Sequence, residues 1–320
     1  MSPQPKVLIS PRSLTMTRNE AVRQLEDAGF ELVFATAGQQ PDESELLRLV
    51  PGCVGWLAGA EPVSEAVISA ATELRAVSRN GVGIDNFPVA LLQERDIRVH
   101  TADGANAAGV AELTIGLMFS ALRHIPFTDA GIKGGGWPRK RGREIRGRTV
   151  GIIGCGAIGT GVAKLVTGVG AKVAAYDPVR RDVGISAESF HWAETSEILA
   201  EADIVTLHCP PPADGRPVIG VKELDLMREG AILINAARAS LVDECAVCDA
   251  LKTGRLGGYA TDVFPEEPPR SLTLAASPNV IATSHIGGFT DESVDRATAI
   301  AVRQLLETIG PLGVSHAEKV

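Results

Sequence analysis

Residues 148–178, RTVGIIGCGAIGTGVAKLVTGVGAKVAAYDP, admit few folds. A β-rich run, Thr149 to Ile153, feeds directly into Gly154, Gly156 and Gly159 in the spacing G-x-G-x-x-G, and a helix, a second strand (Lys172 to Tyr176) and an acid, Asp177, follow. That order is the one a dinucleotide-binding βαβ unit requires. Gly154 permits the tight turn, Gly156 lets backbone approach a pyrophosphate, and Gly159 lets the helix pack closely on the strand. Ala157 and Ile158 open the helix, whose unpaired N–H groups and dipole favour phosphate. Asp177 suits the ribose hydroxyls and repels a 2′-phosphate, which favours NAD over NADP, while Arg180 and Arg181 nearby keep an NADP reading open.

The chain has 320 residues, enough for two domains with separate cores. Its net charge of −8 argues against a general nucleic-acid or membrane-surface binder. One stretch departs from that balance: Lys133 to Arg148 holds seven Lys/Arg, a glycine run and Trp137, and reads as an exposed arm, solvated or touching another subunit. The five cysteines, Cys53, Cys155, Cys209, Cys245 and Cys248, imply no disulfide framework. Cys245 and Cys248 form C-x-x-C, but on a helical stretch with no second ligand pair, so neither metal nor redox use is expected. No signal region or membrane-length apolar run is present, and the expected location is the cytoplasm.

Taken in order, the chain alternates strand and helix. Strands are predicted at 6–10, 31–36, 53–58, 74–78 and 98–101, with helices at 17–28, 42–50 and 64–71 between them. A long apolar helix, Asn106 to Arg123, leads out of this first unit, and the arm follows it. Beyond Asp177, strands are predicted at 204–208, 232–236, 258–262 and 280–282, helices at 196–200 and 243–253, and a last amphipathic helix at 291–309 that crosses back onto the first unit. Regular alternation with short connections argues for an α/β fold with parallel sheets covered by helices on both faces. The first unit lacks its own G-x-G-x-x-G. Its conspicuous loop is RNGVGIDN, Arg79 to Asn86, which either exposes backbone N–H groups at a strand's carboxyl end or is an ordinary strand-to-helix turn.

Polar residues also gather after the late strands. Arg238, after AILIN, either holds a carboxylate in its planar fork or lies in a surface turn. Glu267 sits among prolines in TDVFPEEPP, and its bland alternative is a solvated loop acid. His285, after the last strand and before Gly287 and Gly288, is the histidine best placed for acid–base work, whereas His208 ends a strand and is open to a simple packing role.

NGVGIDN, GCGAIG with Asp177, LHCP, NAARASLVDE, DVFPEEP and SHIGG, in this order, resemble the D-isomer-specific 2-hydroxyacid dehydrogenases, most closely the branch containing D-3-phosphoglycerate dehydrogenases. The resemblance covers almost the whole chain. It implies two doubly wound parallel-sheet domains, a Rossmann NAD domain (103–287) inserted into a flavodoxin-like substrate domain (1–102 and 288–320), with the active site in a cleft between them. It implies His285 as acid/base, Glu267 as its partner and Arg238 as substrate anchor. Asn80, Gly81, Val82 and Gly83 would meet the substrate carboxylate. Arg79, by its position just before that loop, either meets the substrate at a second anionic group or is an ordinary surface or interdomain residue. Besides the glycine turn and Asp177, the cofactor would be met by His208, Cys209, Pro210, Ala236, Ala237, Asp262 and Gly287. The cofactor implied is NAD, the partner molecule a 2-hydroxy or 2-keto acid, and the assembly a homodimer built on the cofactor domain, with the helix around Glu112 to Arg123 and the Trp137 arm as its surface.

In such chemistry the substrate's hydroxyl proton departs as its C2 hydride does, so a histidine near neutral pH, a carboxylate to hold it and an arginine for the anion form a coherent set. Two departures from the family pattern stand out: Ala239 where glycine is usual after the arginine, and Pro210, Pro211, Pro212 and Ala213 where Pro-Leu-Thr is common. An NAD-sensing corepressor on the same scaffold is the alternative of a different class. Within the enzyme reading, 3-phosphoglycerate/phosphohydroxypyruvate competes with a glyoxylate/hydroxypyruvate reductase. The chain's end at 320 is expected to leave no room for an appended regulatory domain.

Overall fold

Near-continuous apolar runs such as KVLI and AILIN mark strands buried on both faces, and both sheets of the computed structural model are wholly parallel. Residues 4–16 and 19–310 are described. The chain divides into two units, residues 1–106 with 290–320, and residues 107–289, so the boundaries fall at 106/107 and 289/290 rather than 102/103 and 287/288.

The first unit runs β1 (Lys6–Ile9), α1 (Arg12–Met16), α2 (Glu20–Asp27), β2 (Glu31–Phe34), α3 (Glu43–Leu49), β3 (Cys53–Ala58), α4 (Glu65–Ala70), β4 (Ala76–Arg79), α5 (Val89–Glu94) and β5 (Arg98–Thr101). Its strand order is β2-β1-β3-β4-β5, the flavodoxin-like arrangement. Asn19, Asp42 and Ser64 cap α2, α3 and α4 by accepting from backbone N–H groups in the first turn. Thr17 and Arg18, with which the helix expected at 17–28 begins, lie outside the described residues.

The second unit runs α6 (Ala107–Arg123), α7 (Ile125–Lys133), β6 (Thr149–Ile153), α8 (Ala157–Gly168), β7 (Lys172–Tyr176), β8 (Phe190–Trp192), α9 (Thr195–Glu201), β9 (Ile204–Leu207), α10 (Val221–Leu226), β10 (Ala231–Asn235), α11 (Glu244–Lys252), β11 (Leu256–Thr261) and β12 (Val280–Ala282). The order β12-β11-β10-β9-β6-β7-β8 is a doubly wound Rossmann sheet extended by one strand. The final helix, α12 (Asp291–Ile309), belongs to the first unit, where Ala301, Val302, Leu305 and Ile309 pack with Val7, Ile9, Leu57 and Ala76.

Five short elements, α1, α5, α7, β8 and α10, are absent from the sequence-based expectation. Most span three to six residues, too short for periodicity to register. The nine-residue α7 escapes for another reason: none of its residues is buried, so its apolar side chains follow no core-facing stripe. The basic stretch after it is bound to its own unit at several points. Lys140 Nζ donates to Asn279 Oδ1 at 2.9 Å, Arg143 to the Gly230 carbonyl at 3.0 Å, and Arg148 pairs with Asp203 at 3.0 Å.

Candidate active site

The glycine turn follows β6, and the strand beside β6 in the sheet is β9, its neighbour in space but not in sequence. This is the switch point at which open α/β sheets bind ligands. Gly154 has φ 93°, and a Cβ there would lie 2.5 Å from the His208 carbonyl carbon and the Cys209 nitrogen, so the two loops meet too closely for any side chain. At Gly159 a Cβ would stand 2.1 Å from the Gly154 carbonyl oxygen. At Gly156, which caps α8, no atom lies within 4 Å of that position. Two glycines therefore serve packing, and the third keeps backbone open at a helix N-terminus, as a pyrophosphate requires.

Asp177 ends β7 and reaches back: Oδ2 accepts from Cys155 N at 2.9 Å and Oδ1 from Val179 N at 2.8 Å. The carboxylate thereby braces the turn it is expected to serve. Arg180 is paired with Glu194 at 2.6 Å. His208 shares a hydrogen bond with Thr206 Oγ1 through Nε2 at 2.9 Å, while its Nδ1 is buried with no partner among the described residues. Burial lowers its pKa to about 3, so the ring is neutral at physiological pH. An orphaned ring nitrogen beside the glycine turn and the open approach to Gly156 both fit a dinucleotide.

The pair expected to do acid–base work is brought together by the loops after β11 and β12. His285 Nδ1 and Glu267 Oε2 are 2.7 Å apart, and Glu267 Oε1 accepts from Phe264 N at 3.1 Å. With Glu267 accepting a hydrogen bond from Nδ1–H, Nε2 is the ring nitrogen left free of that pair. His285 is one of three described non-glycine residues with positive φ, at 54°. A buried carboxylate holds the chain there: Asp262 Oδ1 accepts from Thr283 Oγ1 at 2.6 Å and Ile286 N at 2.8 Å, and Oδ2 from Gly287 N at 2.8 Å. Expected beside the nicotinamide, Asp262 has both oxygens engaged by the loop that carries His285.

Arg238 leaves the end of β10 through a turn built by Asn235. That wholly buried amide donates to the Arg238 carbonyl at 2.8 Å and accepts from Ala237 N at 3.1 Å. The Arg238 Nη1 lies 2.8 Å from the Ala237 carbonyl oxygen, to which it donates. Ala239 starts a short 3₁₀ turn and has no positive φ, so the methyl in place of glycine's hydrogen imposes no backbone strain.

In the first unit, the loop after β4 is folded around Arg79. Its Nε donates to the Gly83 carbonyl at 3.0 Å and its Nη1 to the Asn80 carbonyl at 2.9 Å. A Cβ at Gly81 would stand 3.0 Å from that Nη1. Asn80 N donates to Ala58 O at 2.8 Å and Gly81 N to Arg79 O at 2.8 Å. Among the described residues, the N–H groups of Val82 and Gly83 meet no protein acceptor, which narrows the expected anion contact to those two. Asn86 ties the loop down, donating to the Glu61 carbonyl at 2.7 Å.

The supporting residues Asn235, Thr283 and Asn86 are not among those singled out by sequence. Each acts through one or two hydrogen bonds to backbone or a buried carboxylate, and no spacing rule distinguishes such an amide or hydroxyl from a surface one. Among the described residues no group of three or more His, Cys, Asp or Glu is gathered as a metal site, and no helix is long and apolar enough to cross a membrane.

Residues 115–287 match the family described as D-isomer specific 2-hydroxyacid dehydrogenase, NAD binding domain. The chain is 37% identical over 293 residues to a D-3-phosphoglycerate dehydrogenase of Methanocaldococcus jannaschii, covering 91% of this chain and 55% of that one. It is 33% identical to a hydroxypyruvate reductase of Thermotoga maritima, covering 84% and 89%. It thus spans about half the length of the phosphoglycerate dehydrogenases it matches, and most of the reductase. A solved Thermus thermophilus protein superposes with a TM-score of 0.82 at 30% identity, covering 94% and 96%.

Proposed function

This chain belongs to the D-isomer specific 2-hydroxyacid dehydrogenase family and uses NAD, and on that premise we propose that it interconverts a D-2-hydroxy acid and its 2-keto acid. The observation that carries the proposal is the 2.7 Å pair of His285 and Glu267, in the same unit as a complete dinucleotide turn. Bound NAD supplies the hydride acceptor in one direction and the donor in the other. The chain's own residues manage the proton and the anion. His285 Nε2 takes the hydroxyl proton at C2 during oxidation and returns it during reduction. Glu267 holds the ring in the required tautomer and stabilises the imidazolium that forms. Arg238 orients the substrate carboxylate and polarises the oxygen at C2. In the first unit, the N–H groups of Val82 and Gly83 are donors of the kind that suits a carboxylate.

Both similar proteins are named for three-carbon acids with oxygen on C3, and we assign that class to this chain, phosphorylated or not. NADH oxidation followed with phosphohydroxypyruvate, hydroxypyruvate and glyoxylate tests this, with turnover expected on at least one of the first two. No turnover on any of the three would overturn the dehydrogenase proposal.

Arg79 bears on the choice between the two. With Nε and Nη1 on the loop's carbonyls, it serves the carboxylate loop that all these substrates share. Arg79→Ala is therefore expected to lower kcat/KM roughly ten-fold, the scale of one charge-assisted hydrogen bond, for phosphohydroxypyruvate and hydroxypyruvate alike. A loss confined to the phosphorylated substrate would instead make Arg79 a phosphate contact.

A cytoplasmic homodimer completes the proposal. The five free thiols suit a reducing compartment. On the second unit, Ile125, Phe127 and Ile132 of α7 are about half exposed and Trp137 is 82% exposed, while much of α6 is buried within its own unit. Light scattering should give twice 33.5 kDa at micromolar concentration, and a monomeric mass would contradict the dimer.

A further inference from the structure

The C-x-x-C of α11 has no part in the chemistry above, yet it lies in the wall of a cleft of about 630 Å³ within the second unit. Cys245, Cys248 and Lys252 line one side, and Phe264, Pro265 and Arg270 the other. Residues three apart on an α-helix share a face, with Cα atoms ~5 Å apart, inside the range a disulfide spans. Both cysteines are free thiols; Cys245 is exposed and Cys248 half-buried. The opposite wall is the segment that carries Glu267, whose carboxylate accepts from the backbone of the wall residue Phe264.

We propose that Cys245 and Cys248 form a reversible dithiol–disulfide site, oxidised by peroxides entering this cleft, and that its state is transmitted through the facing loop to Glu267. The exposed Cys245 is the sulfur oxidised first. Its thiolate displaces hydroxide from the peroxide, the O–O bond breaks, and a sulfenic acid forms. The Cys248 thiolate then attacks that sulfur, the S–O bond breaks, and the departing hydroxide leaves as water. Two thiols and one hydrogen peroxide thus give one disulfide and two waters, the sulfurs losing the two electrons that the peroxide oxygens gain. Burial raises the Cys248 thiol's pKa while Lys252 opposes that rise, which suits a resolving rather than an attacking thiol.

The disulfide stands independently of the proposed activity, whereas its effect on turnover rests on the roles given above to Glu267 and His285. The test uses the full chain, reduced, desalted and treated with a small excess of hydrogen peroxide. Peptide mapping after alkylation is expected to find Cys245 and Cys248 joined, two hydrogens lighter and restored by dithiothreitol. With hydroxypyruvate or phosphohydroxypyruvate and NADH, kcat should fall at least about three-fold and recover on reduction, a small part of the ~10²–10⁴ that acid–base catalysis supplies. Cys245→Ser and Cys248→Ser should each keep the basal rate and lose the peroxide response. A pair that stays reduced while Cys209 or another thiol oxidises would overturn the site. A disulfide with unchanged kcat, or an equal peroxide loss in both serine variants, would overturn the coupling to Glu267. No turnover in the reduced protein would strike the dehydrogenase proposal and leave the mapping to decide the site.

Discussion

His285→Ala is expected to lower kcat by ~10²–10⁴ while leaving NADH affinity within about two-fold, the signature of losing a positioned acid/base and nothing else. The ring is half exposed and is held through Nδ1 by Glu267, so its removal leaves no buried cavity. Alanine keeps the same Cβ as histidine, so the left-handed backbone at this position gains no new steric clash. The variant should therefore fold normally, and a NADH titration by fluorescence beside steady-state kinetics separates the outcomes. Unchanged kcat would remove His285 from the mechanism. A parallel loss of NADH binding would mean that the loop, rather than the imidazole, had been damaged.

Asp262→Ala should have the next largest effect, and on two measurements at once. Its side chain is 1% exposed and accepts three hydrogen bonds from the loop carrying His285. Removing it leaves the Ile286 and Gly287 N–H groups without their acceptor, at a cost of about 3 kcal/mol. For a unit of this size that corresponds to a Tm lower by roughly 6–12 °C. Release of His285 from its left-handed position should cost ~10² in kcat, the scale of an ångström-level misplacement of a catalytic group. If Asp262 served mainly as a nicotinamide contact, NADH affinity would fall while Tm held. Calorimetry and NADH titration of the one variant distinguish the two roles.

Much of this site was legible in sequence because its parts are local. A strand that must turn within three residues and admit backbone to a phosphate needs glycines at fixed offsets, and the structure bears this out: φ is 93° at Gly154, and a Cβ at Gly159 would stand 2.1 Å from the Gly154 oxygen. The buried strands were legible for a similar reason, since a run such as AILIN is apolar at nearly every position only when both faces are covered. What periodicity could not find was α7, whose apolar residues face outward, and short elements such as β8 and α10.

The sequence by itself determined the α/β class and the glycine turn with its terminal acid, and the family resemblance it carries named the histidine and glutamate that pair. Only the tertiary structure decided what those residues touch. It placed β9 beside β6, so that His208 and Cys209 press against Gly154. It turned Arg79 onto its own loop, engaged the Asn80 and Gly81 N–H groups there, and committed Asp262 to a segment more than twenty residues away. The reason is physical. Backbone conformation and strand burial are imposed by neighbours in the chain, so they leave a periodic or positional trace. A hydrogen bond between Asp262 and Ile286 depends on how β11 and β12 align, and an aspartate that will make it looks in sequence like any other aspartate after a strand.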